Sequence, residues 1–188
     1  MLLKDTIVLS VSGKINKEQY EKVLFELLSQ RNKEIRKIIL VICSEGGSIS
    51  YAFAIYDLLK NIKVEIVTVA LGDCIGAATL LFSLGNKRLV SDNVIYVLHF
   101  DLEVNCKENE SLTTKFLKRK NEILENKVIE AIVATSNCSA EKISQLFYNE
   151  NENFIERDEL LELGIATDRL SSYEIISHYV FGFKLKWS

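Results

Sequence analysis

The sequence contains no proline, only two histidines, and four cysteines that are widely spaced along the chain. No two cysteines form a CxxC pair, and His99 and His178 are far apart, so the spacing argues against a zinc site. The sequence also has no G-x-x-x-x-G-K-[ST] phosphate loop. We therefore expect neither a metal nor a cofactor. We interpret Cys43, Cys106 and Cys138 as buried or idle thiols in a reducing compartment.

The chain also lacks the features of nucleic-acid-binding, secreted and membrane proteins. Acidic and basic residues are interspersed, the net charge is −3, and no basic stripe could follow a row of phosphates. Charged residues at Lys4 and Asp5 come too early for a secretory signal peptide. No apolar run approaches the roughly 18 residues that a membrane span requires. We therefore expect a soluble cytoplasmic protein that binds neither nucleic acid nor membranes.

A length of 188 residues with 48% hydrophobic content is typical of a single domain, 1–188, with a sizeable core. Continuous apolar runs, typical of strands buried on both faces, alternate with segments of helical periodicity. This alternation predicts an α/β fold with a largely parallel sheet. The predicted strands are 7–13, 38–42, 64–70, 88–90 and 94–99, and the predicted helices are 16–31, 50–61, 76–84, 111–134, 140–148 and 158–163.

Two predicted strand-to-helix turns are rich in small residues. The segment 45–48 reads Glu-Gly-Gly-Ser, and its glycines would let backbone N–H groups point into a cleft and hold an oxyanion. The segment 72–81 opens a short apolar helix, where a nucleophile would be stabilised by free N–H groups. Both segments also suit plain tight turns in a core. His99 ends an apolar strand, either as a general base or as a core histidine.

Four motifs together resemble the proteolytic subunit of the Clp protease, which has the ClpP/crotonase fold. The segment 42–48 resembles its N-S-P-G-G-S turn, with cysteine for asparagine and glutamate for proline. The segment 54–57 resembles its A-I-Y-D helix, and 85–99 its G-x-K-R…N…M-I-H segment. The segment 159–165 resembles its E-A-x-x-x-G-L-x-D ending, so that the resemblance covers most of the chain.

The resemblance implies an α/β fold of stacked β/α superhelical repeats, with 111–134 as a protruding handle helix. It implies assembly with copies of this chain or with paralogous Clp subunits into a ring, seven-membered in the family. It also implies unfolded polypeptide as the ligand and an AAA+ unfoldase as a partner. About six residues precede the first strand, where relatives have a longer segment that meets the unfoldase, so direct gating is left open.

The nucleophile that the resemblance implies depends on how the second turn is aligned. Without gaps, Gly76 falls on the family's serine and the chain has no nucleophile there. With a two-residue deletion after Gly72, Cys74 falls on the serine instead. A cysteine thiolate activated by His99 would be chemically competent. We favour the gapless alignment and keep the other open.

The remaining site residues follow from the same resemblance. Counting back from the last motif puts Glu152 at the third member of the triad, either as the acid that orients the histidine or as part of a solvated acidic loop. The backbone N–H groups that would hold the oxyanion are expected from Gly47, Ile75 and Gly76.

These observations support three functional hypotheses. We favour a Clp-type ring subunit whose peptidase activity is impaired or lost, because glycine occupies the aligned nucleophile position. The second hypothesis is an active Clp endopeptidase that uses Cys74 as its nucleophile. The third is a crotonase-like acyl-CoA enzyme, in which a glycine at this turn would be natural because no serine is needed.

Overall fold

The computed structural model describes residues 5–31, 34–99, 112–148 and 154–170. Its elements follow in the order β1 (Thr6–Ile15), α1 (Lys17–Ser29), β2 (Lys37–Gly47), α2 (Ile49–Lys60), β3 (Glu65–Ile75), α3 (Ala77–Ser83), β4 (Lys87–Val90), β5 (Ile95–Val97), α4 (Leu112–Val133), α5 (Ala140–Tyr148), β6 (Phe154–Ile155), α6 (Arg157–Glu162) and β7 (Asp168–Arg169).

The described strands form one seven-stranded sheet in which β1, β2, β3, β4 and β7 are neighbours in that order. All of these pairs are parallel. β5 pairs in parallel with the end of β3, and β6 pairs with β5 in the antiparallel direction. The predicted α/β class with a largely parallel sheet is therefore confirmed. β6 and β7 were not predicted, because two-residue strands are too short to show a periodicity.

The central strands continue beyond the points where sequence reasoning ended them. β1 shifts register against β2 after Ser12, and β2 shifts against β3 after Ile42. Beyond these shifts Ser44 pairs with Cys74, which in turn pairs with Tyr96 of β5. The glycine-containing segments thus remain hydrogen-bonded in the sheet and bend it, as β-bulges do. The candidate site lies at the ends of these strands, beyond the register shifts.

The core lies between the sheet and the helices that cross it. Helix α2 buries Ala52, Ile55, Tyr56 and Leu59, which recur at the three-to-four-residue spacing of one helix face. All seven residues of α3 are buried. The rings of Phe82 in α3 and Tyr96 in β5 meet edge to face, with centroids 5.9 Å apart. Burying α3 on all sides fixes the turn that precedes it.

A buried arginine ties the second half of the chain to the sheet. The guanidinium of Arg88 in β4 donates hydrogen bonds to the backbone oxygens of Gly85, Thr135, Gly164 and Ile165. These carbonyls satisfy the buried donors without a carboxylate. Because Thr135 follows α4 and Gly164 follows α6, one side chain of β4 joins the C-terminal ends of both helices to the sheet.

Helix α4 covers almost all of the predicted helix 111–134. Val128, Ile129 and Ile132, near its C-terminus, are buried in the core, whereas Phe116 and Ile123, nearer its N-terminus, are exposed. In the part of the chain that the structure describes, no helix has the length and apolar content to cross a bilayer. The division of the chain into a single domain stays a prediction.

Candidate active site

A cleft of about 500 Å³ opens at the carboxyl ends of β1 and β2. Residues 14–16 and 45–51 line one side, and part of α4 lines the other. Gly76, Ala77 and His99 complete the lining. The cleft therefore brings together the glycine turn, the start of α3 and the histidine that the sequence analysis selected separately.

Gly76 forms the turn between β3 and α3 and has backbone angles of φ 55° and ψ −119°. Its N–H donates to the Val97 carbonyl at 2.9 Å. Its carbonyl accepts from the Thr79 N–H at 3.0 Å and from Thr79 Oγ1 at 2.7 Å. Glycine adopts such a conformation without strain, whereas other residues are strained in it. A strained strand-to-helix turn is also the geometry that presents a serine in a nucleophile elbow.

Cys74 lies two residues earlier, within β3, and faces a different environment. Its side chain is fully buried in the main core cluster and does not line the cleft. Burial raises the pKa of the thiol well above its ordinary value. Both effects oppose nucleophilic chemistry, which requires an accessible thiolate.

The other three cysteines, expected to be buried or idle thiols, differ in their exposure. Cys43 is exposed on β2 and Cys138 is half-buried after α4. Cys106 lies outside the described residues.

His99 follows β5 and is half-buried, with Nδ1 shielded from solvent. It lines the cleft together with Gly76. Glu152, the residue expected to complete a triad, lies outside the described residues. Its role as an orienting acid stays a prediction.

The glycine turn at the end of β2 can supply a backbone donor to the cleft. Ser48 N–H donates to the Ile15 carbonyl at 2.8 Å. Successive N–H groups along a strand point to opposite sides, so we expect the Gly47 N–H to point away from β1. The Gly46 N–H is bonded to Ser44 Oγ at 3.1 Å. Of the two glycines, Gly47 is therefore the candidate donor to a ligand.

Ile75 and Gly76, the other two predicted oxyanion donors, lie where β3 pairs with β5. Ile75 is the last residue of β3, paired with Val97 of β5, and the N–H of Gly76 already donates to Val97. Ala77, the first residue of α3, lines the cleft but was not singled out from the sequence. The one feature of the sequence that could have identified Ala77 is its place at the start of the helix that follows Gly76.

Helix α4 supplies cleft residues that sequence reasoning missed. Leu117, Lys120, Asn121, Leu124 and Glu125 recur every three or four residues and form one face of the helix. The periodicity could have identified this face, but not the neighbour that it meets.

The charges of the cleft balance between its walls. Lys14 and Glu45 lie on the strand side, and Lys120 and Glu125 on the helix side. Burial raises the pKa of Glu125, whose Oε2 accepts a long hydrogen bond, 3.5 Å, from the Tyr148 hydroxyl. A cleft with both signs of charge and several backbone polar groups suits a polypeptide better than a purely apolar ligand.

Comparisons of the sequence with known proteins agree on one family. The model of the family described as Clp protease matches residues 1–171. The ATP-dependent Clp protease proteolytic subunit 2 of Treponema denticola is 30% identical over 121 residues, which is 57% of this chain. The chain spans about 60% of the length of that curated relative.

Comparison of the structures identifies the fold. A ClpP1 point mutant from Listeria monocytogenes superposes with a TM-score of 0.76 at 20% sequence identity. The match covers 91% of this chain and 94% of that chain. It confirms the predicted ClpP/crotonase-like fold.

Proposed function

Because this chain belongs to the Clp protease family, we propose that it is a Clp-type ring subunit that keeps the peptidase cleft but has lost peptide hydrolysis. The observation that carries the proposal is the contrast between two neighbouring residues. Gly76 lines the cleft with His99, whereas Cys74 lies in the core. Glycine has no side chain that could attack a peptide carbonyl.

The chemistry that is left in such a cleft is limited. Gly47 can offer a backbone N–H to a carbonyl oxygen, and His99 can accept a proton, but no side chain at position 76 forms an acyl-enzyme. In serine peptidases, loss of one triad member leaves only the catalysis that the oxyanion hole and substrate binding provide. We expect turnover of peptides to fall below detection while binding of unfolded polypeptide persists.

The proposal includes assembly with other subunits, either copies of this chain or paralogous Clp subunits. Large apolar side chains are exposed on two helices, Phe25 on α1 and Phe116 and Ile123 on α4. Exposed apolar side chains of this size support an association surface. Family membership supports a seven-membered ring that works with an AAA+ unfoldase. Light scattering should detect a large particle, and a stable monomer would contradict this part of the proposal.

The test of activity uses a fluorogenic peptide and the purified protein. We expect no turnover by the wild-type chain and none by Cys74→Ala. Gly76→Ser places a hydroxyl on the turn and should produce slow hydrolysis that disappears when His99→Ala is added. The single variant Ser50→Ala, which changes another serine that lines the cleft, should stay inactive like the wild type.

Two results would replace the proposal with the alternatives. Wild-type turnover that Cys74→Ala abolishes would identify an active cysteine peptidase. A rise in melting temperature with an acyl-CoA, and none with an unfolded polypeptide, would instead favour a crotonase-like enzyme.

A further inference from the structure

We propose that Ser44 is a positioning residue that holds both parts of the strand-side wall of the cleft through its single hydroxyl. One part is the Gly46–Gly47 turn, and the other is the segment of β1 around Gly13, where the register against β2 shifts and after which Lys14 lines the cleft. The role of this cleft as a polypeptide site rests on the proposed function, whereas the hydrogen bonds of the Ser44 hydroxyl can be tested without it.

The Ser44 hydroxyl is buried and uses both its donor and an acceptor position. The side chain is 1% exposed. Its Oγ donates to the Gly13 carbonyl at 2.6 Å and accepts from the Gly46 N–H at 3.1 Å. A hydroxyl is the smallest side-chain group that can both donate and accept a hydrogen bond. Ser44 therefore links β1 to the turn of β2 at the level where the sheet bends.

The first consequence concerns the Gly46–Gly47 turn. Gly46 has φ 88° and lies directly against β3, since a Cβ there would be 2.6 Å from the Ile75 carbonyl oxygen. The bond to Ser44 occupies the Gly46 N–H. The next N–H, that of Gly47, is expected on the opposite side of the strand and is the candidate donor to a ligand.

The second consequence concerns the register shift between β1 and β2. Between the pairs Ser12–Cys43 and Lys14–Gly46, β2 has one residue more than β1, and the Gly13 carbonyl of β1 accepts the hydrogen bond from Ser44 there. An extra residue of this kind is a β-bulge, and bulges beside functional sites redirect nearby side chains. Lys14 then lines the cleft and passes over the turn, with its Cγ 3.0 Å from the position of a Cβ on Gly47.

Replacing Ser44 by alanine would leave two backbone groups without this partner. The Gly46 N–H belongs to a buried residue and would lose its acceptor, whereas the Gly13 carbonyl belongs to an exposed residue and can bond to water instead. The turn would then open locally more often, while the parallel ladders of 38–42 would keep their own bonds. A purely structural serine would instead change the stability of the whole sheet.

The experiment is hydrogen–deuterium exchange with fragmentation that resolves the Gly46 amide. We expect Ser44→Ala to speed exchange of this amide roughly fivefold to tenfold, as loss of one hydrogen bond implies. The amides of 38–42 should change by less than twofold. Ser44→Thr retains the hydroxyl and should restore protection. The matched control is Ser83→Ala, since Ser83 is also buried but donates to Leu80 within α3.

Several outcomes would overturn the inference. One is exchange of the Gly46 amide in Ser44→Ala within twofold of wild type, and another is equal acceleration by Ser83→Ala. A folded Ser44→Thr that exchanges as fast as Ser44→Ala would also exclude the hydroxyl as the cause. If both Ser44 variants fail to fold, the residue serves the whole sheet and the local role is wrong. None of these results depends on peptidase activity or on ring assembly.

Discussion

The turn at Gly46 and the turn at Gly76 lie at the ends of neighbouring parallel strands, and both have positive φ angles. At Gly46 the reason for glycine is contact as well as conformation, because an added Cβ would meet the Ile75 carbonyl oxygen at 2.6 Å. Gly76 lines the cleft as Gly46 does, but it joins a strand to a helix, which is the kind of turn that presents a serine in a nucleophile elbow. The two glycines thus belong to different turns: Gly46 lies against the backbone of β3, and Gly76 occupies a position where peptidases can have a reactive side chain.

The largest effect is expected from Gly46→Ala. The added Cβ combines backbone strain with a contact that real Cβ atoms essentially never make, so we expect a loss of about 4 kcal/mol or more in the free energy of unfolding. Urea denaturation measures this loss. The matched control is Gly13→Ala, which has a similar φ but nothing within 4 Å of the new Cβ, and should cost about 1–2 kcal/mol. If both variants lose the same free energy of unfolding, the contact between the added Cβ and the Ile75 carbonyl oxygen plays no part.

A smaller effect is expected from Gly76→Ala. The cost should come mainly from the left-handed backbone conformation, about 2 kcal/mol, and should be the same for Gly76→Ser within experimental error. Denaturation of both variants beside Gly46→Ala tests the comparison directly. A Gly76→Ala variant as unstable as Gly46→Ala would mean that packing enforces glycine at both turns.

The smallest effect concerns the pH dependence of stability that Cys74 contributes. Burial raises the pKa of its thiol in the folded protein, so the folded state keeps a proton that the unfolded chain loses above about pH 8.5. The contribution is complete below that pH and falls by about 1.4 kcal/mol per pH unit above it. Between pH 7.5 and 9.5 the wild type should therefore lose about 1.4 kcal/mol more than Cys74→Ala.

The control for this measurement is Cys43→Ala, which removes an exposed thiol. Its stability should follow that of the wild type across the same pH range. Parallel curves for wild type and Cys74→Ala would mean that the Cys74 thiol ionises as readily in the folded protein as in the unfolded chain. That result would reopen Cys74 as a nucleophile.

Sequence reasoning located most elements within a few residues but missed how the strands end. The apolar runs of β2 and β3 were recognised, whereas their extensions to Gly47 and Ile75 were not, because glycine and polar residues carry no strand periodicity. Those extensions depend on partners far away in the chain, such as Ser44 with Cys74 and Cys74 with Tyr96. The local pattern of apolar residues carries no information about which distant strands pair.

The family and the fold are readable from the sequence, because the Glu-Gly-Gly-Ser turn, the segment ending at His99 and the motif around Gly164 occur in one order along the chain. The sequence cannot choose between Cys74 and Gly76, since both alignments of one short turn are compatible with it. The folded structure shows that Gly76 lines the cleft and that Cys74 lies in the core. Cys74 is held in a ladder between two strands with its side chain in the core, and Gly76 is the residue at which the chain leaves that ladder.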